Sequence, residues 1–303
     1  MMIISDAAKF RCDYTFSGCG WHKYYEIPAM FYDARLRCHL QDAILASPTT
    51  QEIKDAMLGS VKNIPMFTGL HATNTNGEYY SVDGVPLVIM PHQWADLEPN
   101  NLDNTERCIA MDSKGKFGDV RCDQARPYMC YRENSKNDTT ICGTPDTEYF
   151  YDARTSKCYK FHKIPRKYER AEFACAAEGG HLVIINSEEE AQVVRELYAR
   201  YPDTTMVGNF PKDYAYIGLY DWDKTRDWMT IHGQTLKEAG YSTFASDEPN
   251  NLTTGEYCGS VFRNGQLGDT WCIHYIPFIC EKKPDYPPVC DSESFLKVKL
   301  TEN

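Results

Sequence analysis

No stretch of the chain approaches the roughly 18–20 consecutive apolar residues that a membrane-spanning helix needs. The opening residues, Met1-Met2-Ile3-Ile4-Ser5-Asp6, are too short for the apolar core of about 7–15 residues in a secretory signal. The chain therefore reads either as cytosolic or as a mature form from which a signal has been removed. It has no Cys-x-x-Cys pair, no Cys₂His₂ spacing and no His-Glu-x-x-His helix, which leaves the common zinc patterns without support. The eight His are scattered and read as surface or satisfied core residues. Gly-x-Ser-x-Gly, Gly-x-Gly-x-x-Gly and the P-loop pattern are all missing, so hydrolase and nucleotide-binding enzyme classes have no positive sign. Positive charge is scarce as well. Lys and Arg number 32 against 43 Asp and Glu, a net charge of −11. Such a balance disfavours non-specific binding to nucleic acid or anionic membrane and suits carboxylate clusters that hold a hard cation.

What the chain does have is cysteine. Thirteen in 303 residues, 42% of them hydrophobic, describe a folded chain of about two domains with a dense sulfur framework. The count is odd, so one cysteine has no partner within a monomer.

The sequence also repeats itself. EPNNLDNTERC from Glu98 returns as EPNNLTTGEYC from Glu248, and FGDVRCDQARPYMC returns as LGDTWCIHYIPFIC. Glu98 maps to Glu248, Cys108 to Cys258, Asp119 to Asp269, Cys122 to Cys272 and Cys130 to Cys280, all at an offset of 150. Gly69 maps to Gly218 at 149, and Pro28 and Cys38 map to Pro165 and Cys175 at 137. The second copy thus carries about a dozen extra residues, placed within ELYARYPDTTMVGNF. One domain has been duplicated, with copies over residues 10–133 and 142–283, a polar linker over 134–141 and a Pro-rich tail over 284–303 that is expected to lie over the surface or to be disordered.

Within one copy, apolar spacing predicts a helix over 29–41 with Phe31, Ala34, Leu36 and Cys38 inward, following Pro28. A short strand and a second helix follow, the latter opened by Thr49 and Glu52 at capping-box spacing, or by Ser187 in the second copy. After Gly69 or Gly218 the chain becomes short β segments separated by turn residues. The class is α+β, two helices beside a loop-rich β half. The disulfides expected are Cys38–Cys130 and Cys108–Cys122, then Cys175–Cys280 and Cys258–Cys272. Cys142 and Cys158 flank a hairpin of the second copy, and Cys12 and Cys19 could do the same for the first. That leaves Cys290 as a free or intermolecular thiol, and so a possible disulfide-linked oligomer, although a pairing of Cys290 with Cys12 or Cys19 stays open.

The helix cysteine, the Tyr216-Ile217-Gly218-Leu219 block, the Glu-Pro-Asn triplet and the three terminal cysteines resemble the signature of C-type lectin-like domains, twice over. With FRCDY, DARLRC and SVDGVPL, the two-domain chain is similar to the immulectins of lepidopteran insects, soluble haemolymph lectins that recognise microbial surface sugars. The resemblance implies Ca²⁺ held by Glu98, Asn100, Glu106 and Asp119, and again by Glu248, Asn250, Glu256 and Asp269. These residue types suit an ion that takes six to eight oxygen ligands. It implies cis bonds at Pro99 and Pro249, which turn the flanking Glu and Asn to one side. Sugar hydroxyls would meet Glu98, Asn100 and Glu106, or Glu248, Asn250 and Glu256. The order Glu-Pro-Asn implies mannose, glucose or GlcNAc rather than galactose.

The chain departs from that pattern where the family has Trp-Asn-Asp. Here it reads Phe117-Gly118-Asp119 and Leu267-Gly268-Asp269, so each site loses an amide and weaker Ca²⁺ and sugar binding is expected. Asn101 and Asn251 stand where the family often has Asp for a second Ca²⁺. Trp271 and Arg121 occupy matching positions, and Trp271 and Trp94 are read as packing rather than as sugar platforms. Asn137 and Asn251 begin glycosylation sequons, and a glycan on Asn251 would favour the first copy as the binder. The expected function is a secreted two-headed, Ca²⁺-dependent lectin of haemolymph for microbial glycans and lipopolysaccharide, with host immune proteins or haemocytes as further partners. The alternative is a Ca²⁺-independent protein-binding module, which the two glycines favour. No enzyme is expected, and ion release is expected as pH falls toward about 5.

Overall fold

The computed structural model describes residues 9–17, 19–72, 77–134, 140–251 and 255–291. The chain divides into two compact units, Met1–Asp138 with Pro287–Asn303, and Thr139–Tyr286.

Each unit is built on one eight-stranded sheet with the same order. In the first, Thr15–Ser17, Gly20–Ala29, Arg126–Glu133, Met66–Ala72, Glu106–Met111 and Phe117–Arg121 lie side by side, with Ile44–Leu45 and Tyr79–Ser81 added at the flanks. In the second the path is Phe150–Asp152, Lys157–Arg166, Ile276–Lys282, Tyr214–Tyr220, Cys258–Phe262 and Leu267–Thr270, flanked by His181–Leu182 and Met229–Thr230. All pairs are antiparallel except Met66–Ala72 with Arg126–Glu133 and its counterpart, Tyr214–Tyr220 with Ile276–Lys282. Gly69 and Gly218 stand where those central strands pass a neighbouring segment, their N–H groups donating to the carbonyls of Ala46 and Val183. A Cβ on Gly218 would lie 2.7 Å from the Leu182 carbonyl oxygen, and one on Gly69 would strike that of Leu45. Only glycine permits this approach.

The helices are Phe31–Leu40 and Gln51–Leu58 in the first unit, and Tyr168–Ala177, Glu188–Ala199 and Leu236–Ala239 in the second. Phe31, Ala34 and Cys38 are buried while Leu36 is half-buried. Pro28 belongs to the preceding strand rather than to the helix, since Met30 is the cap. The cap of the next helix is Thr50, whose hydroxyl accepts the Ile53 N–H, and not Thr49. Ser187 caps as expected, accepting the Glu190 N–H. The extra residues of the second copy extend its helix to Ala199 and add the loop up to Asp213, which the Arg263 guanidinium ties down through the Tyr201 and Lys212 carbonyls at 3.1 and 2.9 Å.

The sulfur framework holds Cys38–Cys130, Cys108–Cys122, Cys142–Cys158, Cys175–Cys280 and Cys258–Cys272. The Cys12–Cys19 pairing does not form, because Cys12 is bonded to Cys290. Strand Val289–Asp291 pairs antiparallel with Lys9–Arg11, and the Cys12 N–H donates to the Pro288 carbonyl at 2.8 Å, which brings the two Cα atoms to 4.9 Å. The start of the tail is thus part of the first unit rather than loose, and Cys290 has no thiol for an intermolecular bond. The odd cysteine is Cys19, half-buried between two strands with its Sγ 3.1 Å from Ser17 Oγ. Asn137 lies outside the described residues.

Candidate functional site

In each unit a loop carrying the Glu-Pro-Asn triplet lies against the strand that carries the later Asp. The Glu98–Pro99 and Glu248–Pro249 bonds are cis. Asp119 is buried, at 3% exposure, and acts as the anchor. Its Oδ1 accepts the Asn100 N–H at 3.0 Å and its Oδ2 accepts the Asn101 N–H at 2.9 Å. Asp269 does the same for Asn250 at 3.1 Å and Asn251 at 2.8 Å. Glu98 and Glu248 turn back onto this anchor, each accepting the Asp N–H on Oε2 at 3.3 Å. On the other oxygen each accepts the Asn amide, from Asn100 or Asn250, at 2.7 Å. Glu, Asn and Asp are therefore gathered in both units with nearly identical geometry.

Glu106 is nearby but turned to its own loop, with Oε2 accepting the Leu102 N–H at 2.9 Å. Its charge still bears on Glu98. Glu256 is held through its backbone, whose N–H donates to Asn251 Oδ1 at 3.1 Å. Asn101 and Asn251 serve as loop braces. Both adopt left-handed backbone, φ 45° and 46°, which Asn tolerates better than most residues. The side-chain Oδ1 atoms of Asn101 and Asn251 accept the N–H groups of Glu106 and Glu256.

The electrostatics of both sites call for positive charge. Burial, then the hydrogen bond and charge of Asp119, raise the Glu98 carboxyl to about 7. Burial and Asp269 raise Glu248 likewise to about 7. Among the described residues no Lys or Arg is ion-paired with Glu98, Asp119, Glu248 or Asp269. A divalent cation would relieve this repulsion, and carboxylate, amide and backbone oxygens are the donors Ca²⁺ prefers. The one trio of metal-ligating groups within 4.8 Å among the described residues is His162, Glu178 and Cys280. There Cys280 is in a disulfide and Glu178 is paired with Lys160, so that trio is a core ion pair.

Three features lay beyond the sequence reading. The Tyr79 hydroxyl donates to Asp119 Oδ2 at 3.1 Å. Burial, then Asp119, hold that phenol well above its ordinary range, so it stays a donor. In the second unit the Arg226 guanidinium donates to the Pro249 carbonyl at 2.6 Å, supported by Asp221, which accepts the Thr225 and Arg226 N–H groups. The two glycines also differ. A Cβ on Gly118 would face the Glu98 carboxylate at 3.4–3.6 Å, whereas one on Gly268 would sit 2.5 Å from the Phe262 ring. Trp271 is half-buried with its ring against Gly255, and Arg121 is exposed and paired with Asp123 at 2.6–2.9 Å.

A disulfide-stapled α+β fold, repeated, with a cis Glu-Pro-Asn loop braced on a buried Asp, defines a tandem pair of C-type lectin folds. The Lectin C-type domain family model matches residues 27–132 and 164–282, and the chain belongs to that family. The hemolymph lipopolysaccharide-binding protein of Periplaneta americana is 40% identical over 124 residues, which are 41% of this chain and 48% of that protein. C-type mannose receptor 2 of Rattus norvegicus is 26% identical over 297 residues, 87% of this chain and 19% of the receptor. The chain spans less than half of the first relative and about a fifth of the second. Among solved structures, the mouse scavenger receptor C-type lectin carbohydrate-recognition domain aligns with 46% of this chain and 97% of its own, at 27% identity and a TM-score of 0.38. Among the described residues no helix is long and apolar enough to cross a membrane.

Proposed function

We propose that the chain is a secreted, Ca²⁺-dependent lectin that binds mannose-, glucose- or GlcNAc-type sugars on microbial surfaces, lipopolysaccharide included, as a pattern-recognition protein of haemolymph. The observation that carries this reading is the twice-built set Glu98–Asn100–Asp119 and Glu248–Asn250–Asp269. Glu98, Asn100, Glu106 and Asp119 would hold the ion in the first domain, and Glu248, Asn250, Glu256 and Asp269 in the second. Bound there, Ca²⁺ supplies a charge on which neighbouring sugar hydroxyls are oriented. The side chains do the discriminating. The Glu carboxylate accepts from one hydroxyl and the Asn amide donates to the next. Without ligand that donor and acceptor satisfy each other at 2.7 Å, so a sugar must replace an internal hydrogen bond. Affinity at a single site is accordingly low, and two linked sites gain avidity on a repetitive surface. The name of the Periplaneta relative supports lipopolysaccharide as a target, and that of the rat receptor supports mannose. Host immune proteins or haemocytes are the further partners proposed.

A second reading applies to the second domain. The Phe262 ring occupies the space beside Gly268, and Asn251 begins a glycosylation sequon next to the site. Both favour the first domain as the principal sugar binder and leave the second for a protein partner. The deciding experiment is Ca²⁺ titration of the wild type against Glu98→Gln and Glu248→Gln, each followed by mannose binding. The expected result is loss of Ca²⁺-dependent mannose binding chiefly in Glu98→Gln, with bacterial agglutination abolished by EDTA and by mannose. Binding indifferent to EDTA would overturn the Ca²⁺ reading.

A further inference from the structure

Beside the Glu-Pro-Asn loop of the first domain, Tyr79, Tyr80, Leu87, Val88, His92 and Trp94 line an open cavity of about 350 Å³. It shares a wall with the site above. Tyr79 lines the cavity, and its hydroxyl donates to Asp119 at 3.1 Å. Trp94 forms a β-bridge to Phe117, the residue before Gly118, and Gly118 faces Glu98.

Pro86, Leu87 and Val88 give the lining an aliphatic stretch beside its rings. The Tyr79 hydroxyl is committed to Asp119, and His92 Nδ1 lies 3.0 Å from the Met90 carbonyl. The rings of Tyr79 and His92 both pack toward Trp94, with centroids 5.9 and 6.1 Å away. Glu78 carries the one fixed charge of the lining. At the rim Val88 is 79% exposed and its neighbour Ile89 is 70% exposed. Two adjacent aliphatic side chains in water beside a ring-lined cavity leave apolar surface for a ligand to cover.

The second domain supplies the contrast. Strand pairing repeats at an offset of 149, Leu70 with Ser81 and Leu219 with Thr230. At that offset Val88 and Ile89 become Lys237 and Glu238. There Glu238 closes a capping box with Thr235, and the same place in the fold is charged.

We infer that this cavity is an acyl-chain subsite, so that the first domain takes amphiphilic glycans. The sugar sits at Glu98 and Asn100, and a fatty acyl or alkyl chain runs along Tyr80, Leu87 and Val88. The sugar end relies on the function proposed above, while the chain end stands on the cavity. Each methylene buried there strengthens binding about fourfold.

The test compares methyl and octyl mannoside, below the micellar concentration and in Ca²⁺, by calorimetry on the full chain. In the wild type the octyl glycoside binds at least about tenfold tighter, since burying two to three methylenes suffices. Val88→Lys, which installs the second domain's residue at an exposed position, and Tyr80→Ser each bring the two glycosides to within about twofold. Neither changes methyl mannoside affinity. Equal binding of the two glycosides by the wild type, or an octyl advantage that survives both substitutions, overturns the subsite. If methyl mannoside fails to bind but octyl mannoside binds and Val88→Lys abolishes it, the sugar reading fails and the subsite stands. If neither binds, both fall.

Discussion

The Asp119 N–H donates to Oε2 of Glu98 at 3.3 Å, and this contact sets two carboxylates of the first domain against each other. Burial and the Asp119 charge raise the Glu98 carboxyl from 4.5 to about 7. A carboxyl raised in the folded state contributes stability that is fully present below about 4.5 and is lost as pH rises through about 7. The ion-free protein is therefore expected to lose stability across that window. Ca²⁺, which binds the ionised form, restores it, and Ca²⁺ affinity rises over the same range. The sequence alone placed ion release near pH 5, and the crowding of Glu98 moves its onset up toward 7. Thermal melts in EDTA and in Ca²⁺ that resolve the two domains check this, with Glu98→Gln as the control whose first domain lacks the slope while Glu248 keeps it in the second. A wild-type first domain whose ion-free melting temperature tracks that of Glu98→Gln at every pH would sink it.

Gly118 and Gly268 occupy equivalent positions and should respond oppositely to the amide that the family carries there. In Gly118→Asn the new Cβ meets Glu98 at ordinary contact distance and points the amide at its carboxylate. Ca²⁺ affinity is expected to rise, with stability changed by less than about 1 kcal/mol. In Gly268→Asn the Cβ meets Phe262 at 2.5 Å, so the ring must move, at a cost of about 1–3 kcal/mol. Chemical denaturation and calcium titration of the two variants separate these outcomes, and equal destabilisation would refute the distinction.

The duplication, the two helices and the Glu-Asn-Asp set were legible because they recur at fixed offsets and because each residue type has few uses in such a pattern. Gly69 and Gly218 were visible as repeated glycines, although the close backbone approach that requires them was not. The Cys12–Cys290 bond could not be chosen from sequence. It depends on two three-residue strands at opposite ends of the chain, which carry no periodicity to read. Tyr79 was missed for a similar reason. Its hydroxyl reaches Asp119 only because Tyr79–Ser81 pairs with Met66–Ala72, and a lone Tyr forty residues from its partner gives no local signal.

The Cys12–Cys290 bond has a consequence of its own. It encloses the whole second domain in a covalent ring of 278 residues' separation, yet its sulfurs serve the first. An isolated two-stranded ribbon is marginal in water, so the disulfide and the packing of Phe10 and Tyr14 hold it. Replacing both cysteines by Ser, which avoids exchange with Cys19, should cost the first domain about 2–5 kcal/mol. The second domain should melt as before. Calorimetry with two resolved transitions reads this directly, and an unchanged first transition would contradict it.

Acid should separate the domains too. Glu178 is buried in the second, accepting from Lys160 Nζ at 2.9 Å and from the Tyr149 hydroxyl at 2.8 Å, with His162 Nε2 at 3.1 Å. Burial acts to raise its carboxyl, but His162 and Lys160 outweigh it and hold it at about 2. A carboxyl depressed in the folded state contributes stability that is present above about 4.5 and is lost as pH falls through that value toward about 2. The loss amounts to about 3 kcal/mol. At the matching position the first domain has Gln41, which takes hydrogen bonds from Tyr14 and Tyr25 at 2.8 Å and does not titrate. The second domain should therefore lose stability through this acid limb while the first gains none from Gln41. Glu178→Gln should remove the limb and, by breaking a buried pair, cost about 3–5 kcal/mol at neutral pH. Melting of the two domains from neutral pH down to about 3 measures both effects, and an acid limb that survives in Glu178→Gln would assign it to another group.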